Sequence, residues 1–180
     1  MDDHANPEAD PDPDAVAVAR GPSPEDLAAL ARYAAVLDDG VRASLPGWVE
    51  RSVERVHVAQ LQRRPPAEVR AAATEAGHAA AGEVGDRVHA LLVLDIDEQR
   101  SNPLALIRQA VPYPTEVLRA ASVPPVARDE VAARQFPDDV YDLTPTSFAE
   151  VDPELHEPGL VWGAAKAHVH LSRRRAEGRR

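Results

Sequence analysis

Proline placement sets the lengths of structure open to this chain. Nine of its 17 prolines (Pro103, Pro112, Pro114, Pro124, Pro125, Pro137, Pro145, Pro153 and Pro158) fall in the second half. Proline lacks the backbone N–H and clashes with the carbonyl four residues back, so neither a long helix nor a central strand passes easily through such a stretch. The second half is therefore expected as short helical turns joined by tight loops. Asn102-Pro103, Thr144-Pro145 and Asp152-Pro153 each place an N-capping side chain before a proline suited to the first helical position. Long helices are left to the first half and to the segment after Pro158.

The first half carries helical periodicity. Ser23-Pro24-Glu25-Asp26 reads as a capping-box start, and Leu27, Leu30, Ala34 and Leu37 follow at helical spacing. Gly40 is the expected stop, with a second helix opening near Ser44–Pro46 and carrying an arc of Leu45, Trp48, Val49, Val53 and Val56. Pro65-Pro66 breaks the chain and starts a third helix. Val69, Ala72, Ala73, Ala76, Ala80, Val84, Val88 and Leu91 lie along one side of it, up to about Leu94. Gly77, Gly82 and Gly85 are expected to bend or split that helix. A last long helix is expected from Gly159 to Arg174, with a narrow apolar face of Leu160, Ala164, Ala167 and Leu171. Only Leu91–Ile96 competes as a strand, and it continues a helical pattern. The fold class is all-α: an irregular helical bundle, with longer helices in the N-terminal half and short proline-capped helices in the C-terminal half.

Charge divides the chain differently. Residues 1–14 hold six acids and no Lys or Arg, residues 15–170 are net −8, and residues 171–180 are net +4. Residues 1–22 are expected as a disordered acidic tail, since they offer too little apolar surface to offset the entropy of ordering. Residues 23–172 form the expected single helical domain, and 173–180 a basic disordered tail. Nineteen of the 20 basic residues are arginine, Lys166 being the exception, and alanine supplies 33 positions. That bias is the signature of GC-rich coding.

Two segments carry a resemblance. They are Phe136-Pro137-Asp138-Asp139-Val140-Tyr141-Asp142-Leu143-Thr144-Pro145 and His156-Glu157-Pro158-Gly159-Leu160-Val161-Trp162-Gly163-Ala164-Ala165-Lys166-Ala167. Together they resemble an uncharacterised family of conserved proteins from GC-rich Gram-positive bacteria. The resemblance spans residues 91–172. It implies a bacterial cytoplasmic setting, and no activity, cofactor or catalytic residue comes with it.

Several chemistries lack their residues or motifs. Without cysteine there is no disulfide, thiolate nucleophile or thiolate metal site. No apolar run approaches the roughly 18 residues of a membrane span. The acidic start Met1-Asp2-Asp3 is unlike a secretory signal. No Gly-x-Ser-x-Gly elbow, P-loop or Gly-x-Gly-x-x-Gly loop is present. An acidic body repels phosphate backbones, leaving only the terminal arginines as a nucleic-acid contact.

The sharpest candidate site is a carboxylate-x-x-His set: Glu54 with His57, Glu75 with His78, and Asp86 with His89. An i, i+3 pair faces one way, and such pairs on two helices hold metal ions in ferritin-like bundles. The count is only a mild excess over chance in so acidic a chain. Glu75, His78, Asp86 and His89 fall within a stripe of about 80°, nearly opposite their helix's apolar side. His78 and His89 are about 16 Å apart along one helix, too far to share an ion. A solvated polar face is the simpler reading. His168 and His170 point apart on a helix, and a partly buried structural role suits His168. Asp138, Asp139 and Asp142 could bind a cation, but turn formation and capping explain them more simply. Trp162 is either an exposed partner anchor or a packing residue, and the face of Lys166 is expected to be polar.

The functional expectation is a small cytoplasmic helical protein without catalysis or cofactor. It acts by protein–protein contact, with an unknown protein or as a homo-oligomer, and not with a membrane. Trp162, Arg173, Arg174 and Arg175 are the candidate partner-binding residues. The alternative is a metal-binding bundle using Glu54, His57, Glu75 and His78.

Overall fold

The first helix opens with a closed capping box. The Asp26 N–H donates to Ser23 Oγ at 3.1 Å, and the Ser23 N–H donates to Asp26 Oδ2 at 2.9 Å. Two amides that no helical carbonyl could satisfy are thereby paired. The Ser23 hydroxyl and amide, both bonded to the Asp26 carboxylate, hold it below the usual carboxylate range. In this computed structural model, which describes residues 22–94, 103–155 and 158–179, helix α1 then runs unbroken over Pro24–Leu61.

The stop expected at Gly40 and the restart near Ser44–Pro46 are therefore corrected. Pro46 removes one backbone bond, yet Leu37, Val41, Leu45, Trp48, Val49, Val53 and Val56 stay buried on one continuous side. Burial across the break outweighs the loss of a single bond. Gly40 faces Leu155, where an added Cβ would lie 3.3 Å from a Leu155 methyl. Gln62 ends the helix in the left-handed region (φ 53°), its N–H donating to the Val58 carbonyl at 2.9 Å.

Helix α2, Ala67–Val93, returns antiparallel to α1. Thr74 Oγ1 donates to Glu50 Oε1 at 2.6 Å, Arg42 Nη2 to Asp86 at 2.9 Å, and His89 Nδ1 lies 2.7 Å from Asp38. The glycines expected to split this helix do not. Gly77 and Gly85 are buried against α1. A Cβ on Gly77 would sit 2.8 Å from Pro46 Cα and 3.0 Å from its carbonyl oxygen, and one on Gly85 would sit 2.6 Å from Arg42 Cγ. Gly77 lets the two backbones approach closely and Gly85 leaves room for the Arg42 side chain, while an added Cβ at Gly82 would meet nothing within 4 Å.

The second half is broken up as its prolines require. It contains α3 (Pro103–Ile107), a tight turn Arg108–Ala110, α4 (Pro112–Ala120), α5 (Glu130–Gln135), turns Phe148–Glu150 and Pro153–Leu155, and α6 (Pro158–Glu177). Pro103, Pro112, Pro153 and Pro158 each begin an element. Thr144-Pro145 begins none, because the Thr144 N–H and hydroxyl both donate to Asp139 Oδ2, at 2.6 and 2.7 Å. Asn102 and Ile96 lie outside the described residues, as does the acidic segment 1–22 except Pro22. The boundary expected at 172/173 is not structural: Arg173–Glu177 continue α6.

The fold is all-α, an irregular helical bundle with no strand among the described residues. Its core has two lobes. One joins Leu37, Val41 and Leu45 of α1 to Val84, Val88 and Leu92 of α2, Ile107, Phe148, Leu155 and Trp162. The other joins Val53, Val56 and Ala73 to Leu118, Val123, Tyr141 and Leu143. Among the described residues no helix is long and apolar enough to cross a membrane.

The second lobe contains a buried phenol. Tyr141 donates to the Val123 carbonyl at 2.8 Å. Burial pushes the phenols of Tyr141 and Tyr113 above the ordinary value of 10.0, and Glu83, bonded to Tyr113, pushes that one further. A phenol raised by folding contributes stability that is present below the unfolded value and is lost as pH rises through the folded one. An alkaline absorbance titration should thus show Tyr113 and Tyr141 ionising above pH 10, with stability falling over the same range. If Tyr141 ionised at 10 in folded protein, its burial would be wrong.

Candidate functional site

The carboxylate-x-x-His set does not assemble. His57 is turned inward, 1% exposed, with Nδ1 3.0 Å from the Arg63 carbonyl just beyond the left-handed Gln62. It closes the end of α1. Glu54 faces out, into a cleft it shares with Glu50, Arg70 and Thr74. Glu75 and His78 are exposed on α2. Among the described residues no three His, Asp or Glu side chains group so as to hold a metal ion. The i, i+3 spacing was sound; the pull of the α1–α2 turn on His57 separates it from Glu54.

Asp86 and His89 are exposed but engaged. Asp38 receives His89 and, at 3.3 Å, Arg42 Nε, while Arg42 reaches Asp86. The stripe read as solvated is exposed throughout, and its Asp86–His89 end also forms part of an interhelical network. His168 is half-buried, its Nδ1 shut from solvent without a hydrogen-bond partner.

Trp162 is 3% exposed and packs in the larger core lobe, so of its two expected roles packing holds and the partner anchor is corrected. Lys166, whose face was expected to be polar, is also 3% exposed. The buried side of α6 is Trp162, Ala165 and Lys166, with Val169 packed against the same lobe. At 100° per residue, that is about half a turn from the expected face of Leu160, Ala164, Ala167 and Leu171. One indole outweighs several alanines in apolar area, and it sets the phase.

Asp139 is buried and saturated. Leu143 N–H, Thr144 N–H and the Thr144 hydroxyl all donate to it, at 2.6–2.8 Å on Oδ2. Asp142 sits at φ 55°. Turn and capping roles account for both.

Sequence reasoning missed a cleft of about 490 Å³ between α4 and the 135–144 loop. Arg108, Thr115 and Arg119 line one wall, and Phe136, Asp138 and Asp139 line the other. Arg108 is committed: its guanidinium lies 5.2 Å over the Phe136 ring, and Nε donates to the Pro145 carbonyl at 3.2 Å. The cleft presents groups of both signs and no acid–base pair in hydrogen-bond contact. The recurrence of 108, 112, 115 and 119 at helical spacing was its signal, hidden because Pro112 reads as a break.

Arg173, Arg174 and Arg175 remain exposed, on the last turns of α6. Arg173 Nε donates to Glu177 at 3.2 Å, while the guanidiniums of Arg174 and Arg175 make no hydrogen bond or ion pair among the described residues. Successive residues on a helix point 100° apart, so the three form a collar rather than a stripe. Their position suits the negative end of the helix dipole. No protein-family model, curated protein or solved structure matches this chain.

Proposed function

We propose that this chain is a non-catalytic cytoplasmic protein that acts by protein–protein contact, and that the arginine collar of α6 is its docking surface. The observation that carries this reading is the exposure of every described residue from 172 to 179 on a helix whose preceding turns are fixed in the core. Such an end gains nothing from packing. It stays helical through residue propensity, the Arg173–Glu177 pair and the dipole, which together offer little. A helix extended beyond its own core in this way positions charge. Three arginines give charge-assisted, bidentate contacts to carboxylates from several directions. The bacterial setting follows the resemblance of residues 91–172.

The test is a native pull-down from bacterial cytosol, after nuclease treatment, with the full chain and with R173E/R174E/R175E. A stoichiometric protein retained by the native chain and lost with the charge reversal is the expected result. R173Q/R174Q/R175Q, which removes the charges without setting like charges against Glu177 or opposing the helix dipole, should lose capture as well, so that the loss reports the contact. Equal capture by the native and charge-reversed chains would remove the collar from the interface.

A further inference from the structure

We propose that the chain's own acidic segment, residues 1–14, docks on the arginine collar of α6 and covers it. This rests on the collar being a docking surface and names an occupant that competes for it. The charges are complementary: residues 1–14 are net −6 and residues 171–180 net +4. The spacing suits the collar as well. Glu8, Asp10, Asp12 and Asp14 alternate with Ala9, Pro11 and Pro13, and a proline-spaced chain of three residues per turn and about 3.1 Å rise turns such a row of carboxylates to several sides, about 6 Å apart along its length. A collar with guanidiniums on several sides accepts such a row without requiring a folded partner face.

The chain path brings the two together. The Val151 carbonyl is held by Arg51 at 2.9 Å, and Leu155 lies against Gly40, so the chain travels toward the start of α1 before α6 begins. Helix α6 then packs along α1, with Val169 and Ala34 against one core lobe. From Gly40 back to Pro24 is about 24 Å of helix, and the same length counted from Pro158 ends at Arg174. By this count the collar falls level with the first turn of α1, which the acidic segment precedes in sequence. Residues 15–23 between them reach at most about 30 Å. Tethering at this range gives an effective concentration on the order of millimolar, far above that of a free partner.

The absence of cysteine makes the test direct. A nitroxide on A5C in the full chain should enhance relaxation of the 172–179 amide signals at low salt. The reference is the same labelled chain with D2N/D3N/E8Q/D10N/D12N/D14N, which keeps the tether and removes the charge. Enhancement at least about twofold above the reference, falling to it in about 0.5 M salt, is the expected result. R173E/R174E/R175E should also bring it down. Equal enhancement in the native and neutralised chains would overturn the proposal. So would enhancement seen only between spin-labelled and isotope-labelled copies, since the contact would then be between molecules. No partner is present in this experiment. A captured partner without docking sinks the covering segment alone, and docking with no capture by the neutralised chain D2N/D3N/E8Q/D10N/D12N/D14N, whose collar is uncovered, sinks the partner reading alone.

Discussion

Replacing Gly77 with alanine should destabilise the fold by about 1–3 kcal/mol, although the same change in an ordinary helix stabilises by about 1 kcal/mol. The reason is the crossing of α1 and α2. A Cβ at 77 would meet Pro46 Cα at 2.8 Å and the Pro46 carbonyl at 3.0 Å, both backbone atoms that no rotamer change can move. Relief requires the helices to part, which opens the contacts of Trp48, Val49 and Ala80 on either side. Gly82 supplies the internal control. Nothing lies within 4 Å of its added Cβ, so Gly82→Ala should gain about 0.5–1 kcal/mol through helix propensity and a less disordered unfolded chain. Urea unfolding at constant slope should move the two midpoints in opposite directions. A Gly77→Ala chain as stable as the Gly82→Ala chain would mean that the backbones do not approach at Pro46.

That pair of residues also explains what the sequence could and could not reveal. Proline inside a helical pattern and glycine inside another each read locally as interruptions, and one residue at a time they are. Facing one another, they allow a close approach that neither alone predicts. The capping box at Ser23 and the proline starts at 112, 153 and 158 were legible because their physics is contained within a few residues. The phase of α6 was not. The spacing of Leu160, Ala164, Ala167 and Leu171 reads as its apolar side, whereas the burial of Trp162 depends on what α1 and α2 leave open. His57 misled for a similar reason, since its partner, the Arg63 carbonyl, exists only once the α1–α2 turn has formed. The collar at Arg173–Arg175 was visible as charge, but its helical support was not, because the composition reads equally well as a disordered tail.

Trp162→Ala should lose about 3–5 kcal/mol, the usual cost of removing a large aromatic from a packed core. Trp162 is 3% exposed and sits among side chains from α1, α2 and the 148–155 turns, so its cavity would be shared by several elements and could not close by moving one. Against a typical total of about 5–15 kcal/mol, the loss is large enough to unfold a marginal chain. Trp162→Phe, which keeps most of the apolar volume, should therefore be measured beside it and should remain folded with a smaller loss. An exposed partner anchor would behave otherwise, with a change of about 0.5 kcal/mol or less and no shift of the urea midpoint. The effect also bears on the collar, because the same side chain fixes the helix that carries it. A Trp162 variant that weakens partner capture reports loss of that support, whereas R173E/R174E/R175E, with the core intact, reports the charges themselves.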